Sequence, residues 1–184
     1  MVEVEPIEET LEQLAEKAKT GCASSYEKIV LSLQDRIYMY VFQFVRNEED
    51  AEDLAQDTFV KVYRHINSFD GRARFTTWVY SIAKNTAFNH LRKKRPEDPL
   101  ENHEAMLVAP RQSLVGDERD SIWTLARELK PKMYEVLWLH YAEGFSMNEI
   151  AMITKSNSVT VRVLLHRARV ALKKKCRIYE KNFF

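Results

Sequence analysis

Residues 146–175 read SMNEIAMITKSNSVTVRVLLHRARVALKKK, and their spacing decides what kind of fold the chain adopts. Ser146 and Glu149 form an S-x-x-E capping box, in which hydroxyl and carboxylate each accept from a free amide at a helix start. Ile150, Ala151 and Ile153 are the apolar positions of the short helix that follows. The polar turn KSNS comes next, and Ser158 is expected to cap the second helix. There Val161, Leu165, Ala168 and Leu172 recur at helical spacing and bury one face, while Arg162, His166, Arg169 and Lys173 line the other. A short helix, a tight turn and a basic second helix make the geometry that enters a DNA major groove. Cations then meet phosphates, and side chains of the first turns meet base edges. A surface hairpin with a basic face is the competing reading, but it does not call for box, turn and cationic helix in this order.

Working outward, the 184 residues are 45% apolar, enough for one medium domain or two small ones. Four glycines and five prolines favour long helices over a turn-rich β protein. Ile29, Leu33, Ile37, Tyr40 and Phe44 repeat at helical spacing after Cys22. A second helix is expected from Asn47, as N-cap, to Ile66, and a third from Phe75 to Lys94. Helices are also expected at 118–129, 131–143, 146–154 and 158–179, with Pro131 in a first turn. Pro96, Pro99, Pro110 and Gly116 interrupt an aperiodic acidic stretch that reads as a linker. The expected organisation is all-α: an extension at 1–21, a helical domain at 22–95, a linker at 96–117 and a second helical domain at 118–184. Leu11, Leu14 and Ala18 make a weak amphipathic helix in the extension, with no role the sequence assigns.

Cys22 and Cys176 match no metal-ligand spacing and read as reduced thiols in a cytosolic protein. The acidic N-terminus lacks the basic-then-apolar order of a secretory signal, and no apolar run approaches the roughly 20 residues that span a bilayer. A cytoplasmic protein without membrane insertion is expected. His65, His90, His103, His140 and His166 are scattered, so no metal or other cofactor is expected. The net charge of +1 hides strong segregation. Residues 61–95 and 155–184 are basic, and 1–20, 46–57 and 97–120 are acidic. Two basic blocks separated by acid point to two contacts with a polyanion.

The stretch NEEDAEDLAQDTFVKVYRHINSF, Asn47–Phe69, concentrates like charge. Ala51, Leu54, Ala55, Thr58 and Val62 form an inward stripe, and Glu49, Asp53, Gln56, Asp57, Val60 and Arg64 an outward one. Each like-charge i, i+4 pair costs about 0.2–0.5 kcal/mol. The helix start offsets about 0.3–1 kcal/mol, but only within its first turn. Lys61 is placed to pair with Asp57. The remaining repulsion is small if the face docks on a basic partner whose arginines bond the carboxylates. Beyond it, DGRARFTTW sets Arg72 and Arg74 beside Phe69 and Phe75, with Gly71 for a sharp turn. Trp78, Ser81, Asn85, Phe88, Asn89 and Arg92 then share one helix face. Rings next to cations suit unpaired bases, whose stacking contributes about 1–3 kcal/mol each. Burial in a core is the competing reading for Trp78, Tyr80 and Phe88.

The segment 146–175 resembles the −35-reading domain of bacterial extracytoplasmic-function sigma factors through EIA, TV before a basic residue, HRAR and the Leu-Lys ending. It departs at Val159, where that family usually has Gly, at Val163, where Ser is common, and at Leu164, where Arg is common. An apolar side chain can touch a thymine methyl but makes no bidentate bond to guanine. DAEDLAQDTFVKVYRHINSFDGRARFTTWVYSIAKNTAFNHLRKKR, residues 50–95, resembles the N-terminal domain of the same family, in the same order. The resemblance implies a non-enzymatic protein that binds core RNA polymerase, directs it to promoters and aids their melting. It implies that Asp50, Asp53, Gln56, Asp57 and Phe59 dock on the clamp helices of the largest subunit, and that the flap of the second subunit is also a partner. Phe69, Gly71, Arg74, Trp78, Asn85, Asn89 and Arg92 would capture and read the −10 element of promoter DNA. Ser158, Thr160, Arg162, Val163, His166, Arg167 and Arg169 would read the −35 element. An anti-sigma factor that masks both faces is a further expected partner.

Two other readings stand beside this one. An autonomous helix-turn-helix regulator accounts for residues 118–179 but leaves TWVYSIAKN, residues 77–85, without a purpose. An all-α hydrolase would hold Mg²⁺ with Glu49, Asp50, Asp53 and Asp57, but the chain offers no phosphate-binding loop or obvious base.

Overall fold

Thr10 opens the first helix with a capping box to Gln13, and α1 (Leu11–Lys19) buries Leu14, Ala15 and Ala18. The computed structural model describes residues 9–94 and 118–183, and all regular structure among them is helical. The linker expected at 96–117 lies outside the described residues. The segment read as an extension is therefore, from Leu11 onward, part of the first helical unit.

α2 (Ala23–Val45) buries Ile29, Leu33, Ile37, Tyr40 and Phe44, the stripe that the spacing sets. It stops where Arg46 turns left-handed, at φ 53°. α3 (Glu48–His65) starts from Asn47, whose side chain accepts from the Asp50 amide at 2.8 Å, and buries Ala51, Leu54, Ala55, Thr58, Phe59 and Val62. A 3-10 turn at Ile66–Ser68 leads to the loop before α4 (Phe75–Lys94). Val79, Ala83, Ala87 and Leu91 turn inward from α4. Each fully buried aliphatic or aromatic side chain of this kind contributes roughly 1.5–3 kcal/mol.

The second unit comprises α5 (Glu118–Ala126), α6 (Pro131–Tyr141), α7 (Met147–Thr154) and α8 (Ser158–Phe183). Pro131 occupies the first turn of α6, as its missing N–H favours. Ser146 and Glu149 form the expected capping box, with bonds of 3.3 and 2.8 Å. One expectation is corrected. Ser158 is already helical, and the cap is Asn157, whose Oδ1 accepts from the Thr160 amide at 2.7 Å. The turn KSNS sets two capping residue types side by side, and the Asn157 carboxamide is the one in reach.

The two units pack together, chiefly α4 against α7. Glu135 of α6 is buried and accepts from Tyr40 of α2 at 2.9 Å and from Lys84 of α4 at 2.8 and 3.0 Å. Arg36 of α2 donates to Glu143 at 2.7 and 2.9 Å. Tyr80, fully buried, meets Phe145 edge-on at 4.9 Å. A buried charge is tolerated only when it is paired and hydrogen-bonded, and the bonds from Lys84 and Tyr40 meet that condition for Glu135.

Candidate functional site

The outward face of α3 carries Asp53, Gln56 and Asp57, all exposed and without a hydrogen bond or ion pair among the described residues. Lys61, expected to pair with Asp57, instead reaches inward and donates to Thr86 of α4 at 3.1 Å. Asp50 stands apart from that face: Lys94 binds its carboxylate at 2.6 Å and His90 lies 3.4 Å away. Phe59 is 8% exposed and belongs to the core, and its carbonyl accepts from Tyr26 at 2.5 Å. Next to the acids, Val60 and Tyr63 are exposed, and Tyr63 packs edge-on against Tyr26 at 5.0 Å. This face is thus acidic along one edge and apolar along the other. Among the described residues, the α3 carboxylates do not gather into a group of three or more that could hold a metal ion.

The loop between Phe69 and Phe75 is built on an aromatic floor. Phe69, Phe75 and Trp78 meet at centroid distances of 5.1 to 5.7 Å. Phe69 and Phe75 are buried, while Trp78 is half-buried at the edge. Phe69 as placed supports the loop and does not face solvent. Gly71 sits at φ 73°, a left-handed conformation that strains any residue with a Cβ. Asp70 accepts from the Arg72 amide at 3.1 Å, leaving the Arg72 and Arg74 side chains outward. Along α4, Asn85 is half-buried, and Asn89 and Arg92 are exposed on the same side as Trp78. Tyr80 is core, and Phe88 packs against Phe44 at 5.6 Å.

On α8, Val161, Leu165 and Ala168 are buried, while Thr160, Arg162, Val163, His166 and Arg167 are exposed. Val159 and Val163, at 63% and 43% exposure, are large apolar side chains on the surface that the cationic stripe borders. Ser158 is half-buried at the helix start. Arg169 is braced by α6: its Nε donates to the Tyr141 hydroxyl at 2.7 Å, and its guanidinium lies over that ring. Behind α8, a cleft of about 480 Å³ is lined by Ile122, Trp123, Leu137, Tyr141, Leu172 and Cys176.

The structure brings the loop and the helix-turn-helix together. The Arg74 guanidinium lies 3.8 Å from Glu149, and Thr77 donates to the same carboxylate at 3.1 Å. Partial burial acts to raise the Glu149 carboxyl, but bonds from Ser146 and Thr77 and the charge of Arg74 hold it below its usual value. Sequence reading missed this contact and the Arg36, Tyr40, Lys84, Glu135 and Glu143 network. Its members are spread from 36 to 143, and no local pattern pairs them.

Residues 29–97 match the model of Sigma-70 region 2, and residues 119–172 match that of Sigma-70, region 4. The RNA polymerase sigma-H factor of Pseudomonas aeruginosa is 32% identical over 89% of this chain and 92% of its own. The ECF RNA polymerase sigma factor SigW of Bacillus subtilis is 31% identical over 93% of this chain and 99% of its own. The sigma factor RpoE of Bartonella quintana, crystallised with the anti-sigma factor NepR, shares the fold with a TM-score of 0.66. It covers 83% of this chain and 97% of its own at 22% identity. With both regions in order along one helical chain, the protein belongs to the extracytoplasmic-function group of sigma-70-type RNA polymerase sigma factors.

Proposed function

We propose that this alternative sigma factor docks on core RNA polymerase through the outward face of α3 and reads its promoters with two separate surfaces. Asp53, Gln56 and Asp57 supply acceptors for basic residues on the clamp helices, with Val60 and Tyr63 as the apolar edge of the same contact. Asp50 and Phe59 act one step behind, Asp50 by fixing Lys94 and Phe59 by packing under the face. Residues 22–95 form the unit that docks and opens the −10 element, and 118–184 the unit that reads the −35 element. The flap of the second subunit is assigned to the latter. Gly71, Arg74 and Trp78 form the pocket for an unstacked base, with Phe69 as its floor. Asn85, Asn89 and Arg92 continue along the single strand. Unstacking costs a few kcal/mol, which stacking on Trp78 and bonds from the arginines offset, so opening needs no hydrolysis step by this chain. Thr160, Arg162, Val163, His166 and Arg167 face the −35 groove, with Ser158 at the start of the helix that presents them and Arg169 braced on Tyr141.

The observation that carries this reading is the presence of two separate cationic, base-ready surfaces, one at the loop and α4, the other on α8. Their elements lie about 25 base pairs apart by name, or roughly 85 Å of duplex at about 3.4 Å per pair. Here α4 and α7 are in contact, so binding both elements requires the two units to part. Residues 95–117 join them, 23 positions that reach at most about 80 Å when extended. An anti-sigma factor is an expected partner, since a structural relative was crystallised with one, and one that stabilised the packed arrangement would silence the protein. Among the described residues no helix is long and apolar enough to cross a membrane, and we place the protein in the cytoplasm with the polymerase.

The test is transcription in vitro with sigma-free core polymerase on a genomic library, with transcript starts sequenced. Defined starts that share two upstream elements are expected. Duplex binding without protein-dependent starts would instead favour an autonomous regulator.

A further inference from the structure

The loop that the preceding reading assigns to base capture is held at both ends by α1. At its start, the Lys19 ammonium donates to the Phe69 carbonyl at 2.7 Å and stands 5.2 Å from the Phe69 ring centroid. At its end, a Glu12 carboxylate oxygen accepts from the Phe75 amide at 3.1 Å. Phe75 is the first residue of α4, so its N–H has no partner within the helix. The residue before it is Arg74, which cannot cap, and the first turn of α4 contains no acid. A carboxylate at that position both satisfies the amide and complements the positive end of the helix. Glu12 and Lys19 lie two turns apart on one side of α1, so that one reaches each end of the loop.

α1 is itself firmly seated. Leu14, Ala15 and Ala18 are buried against the core, Thr10 and Gln13 cap its start, and Glu16 takes a second bond from Lys19 at 2.7 Å. Among the described residues, the bonds within the loop itself are the two contacts of Asp70 with Arg72, and Arg74 also stands 3.8 Å from Glu149. Besides its aromatic floor and the Arg74–Glu149 contact, the loop is thus tied to α1 at both ends.

We propose that α1 is a clamp on this loop, with Glu12 and Lys19 as positioning residues for the capture of the −10 base. The proposal rests on the assignment of the loop to base capture. It gives α1 a part in promoter opening without any contact to DNA. Loss of the two bonds leaves the fold and the α3 face intact but lets Gly71, Arg72 and Arg74 wander from the base.

The experiment uses the full chain with core polymerase on a promoter it opens, comparing wild type, Glu12→Ala with Lys19→Met, Glu12→Gln with Lys19→Arg, and Arg74→Ala. Core affinity, permanganate reactivity of −10 thymines and base preference on a randomised −10 library are measured. For the Ala/Met pair, open complex is expected to fall about tenfold, the loss carried by a charge-assisted hydrogen bond. Preference at the captured base flattens, −35 preference is unchanged and core affinity stays within about twofold. The Gln/Arg pair restores most of the opening. Normal opening and preference in the Ala/Met pair, with opening lost in Arg74→Ala, overturns the clamp and leaves the loop's role standing. Normal opening in Arg74→Ala as well removes the loop assignment and the clamp with it. A fall in core affinity equal to the fall in opening also overturns the clamp, because α1 would then serve the whole unit's fold.

Discussion

Asn157 and Ser158 separate two accounts of how the DNA-reading helix begins. Both are good capping residue types, and helix boundaries shift by one or two residues with little change in pattern. The Asn157 carboxamide makes the bond to the Thr160 amide, and Ser158 is the first helical residue. Asn157→Ala should therefore destabilise the C-terminal unit by about 1 kcal/mol, within the roughly 0.5–2 kcal/mol seen for lost caps. Ser158→Ala should change it by only about a few tenths of a kcal/mol, because its side chain supplies no cap bond. Thermal unfolding of the two variants decides between them, and the opposite ranking would return the cap to Ser158. Lys61 teaches the same lesson in another form. Its spacing to Asp57 is right for a surface pair, but a bond to Thr86 in the α3–α4 contact takes it inward.

At the scale of the element, α3 has one buried face and an outward face whose Asp53 and Asp57 have no ion pair among the described residues. Repulsion along it is modest, about 0.2–0.5 kcal/mol per i, i+4 pair, so reversing two charges should leave the helix folded. Asp53→Arg with Asp57→Arg is expected to weaken core polymerase binding by at least about a hundredfold, since like charge then faces the clamp helices. Far-ultraviolet circular dichroism and melting should stay close to wild type. Retained binding would contradict the docking assignment. Most of the helices were legible in sequence because each buries an apolar stripe of period 3.6: Ile29 to Phe44 on α2, Ala51 to Val62 on α3, Val161 to Ala168 on α8. The outward acids and the cationic stripe of α8 were legible for the same reason, being what the buried stripe leaves over. What stayed hidden depends on a second element. Tyr40 and Lys84 converge on Glu135 over long chain separations, and Glu12 finds the Phe75 amide across a gap that no periodicity encodes. Phe59 and Phe69 were read as contact residues, but an aromatic ring looks the same in sequence whether it stacks on a base or fills a core.

At the scale of the whole molecule, α4, proposed to read the −10 element, packs against α7, the first helix of the helix-turn-helix. Arg74 and Thr77 engage Glu149, and Lys84 and Tyr40 engage Glu135, so the packed arrangement uses groups from both reading units. Removing one member of a buried pair costs about 3–5 kcal/mol when the other stays buried. Here the partners can return to water when the units separate, which makes the contact strong enough to form and still reversible. The most direct measurement is the distance between the units, by labels at Lys93→Cys on α4 and Lys174→Cys on α8. Cys22→Ser and Cys176→Ser leave those labels alone on the chain. The account predicts a short distance in the free protein and one longer by on the order of 30 Å or more on core polymerase with promoter DNA, as a duplex separation of roughly 85 Å demands. A distance unchanged in a complex that makes transcript would contradict it.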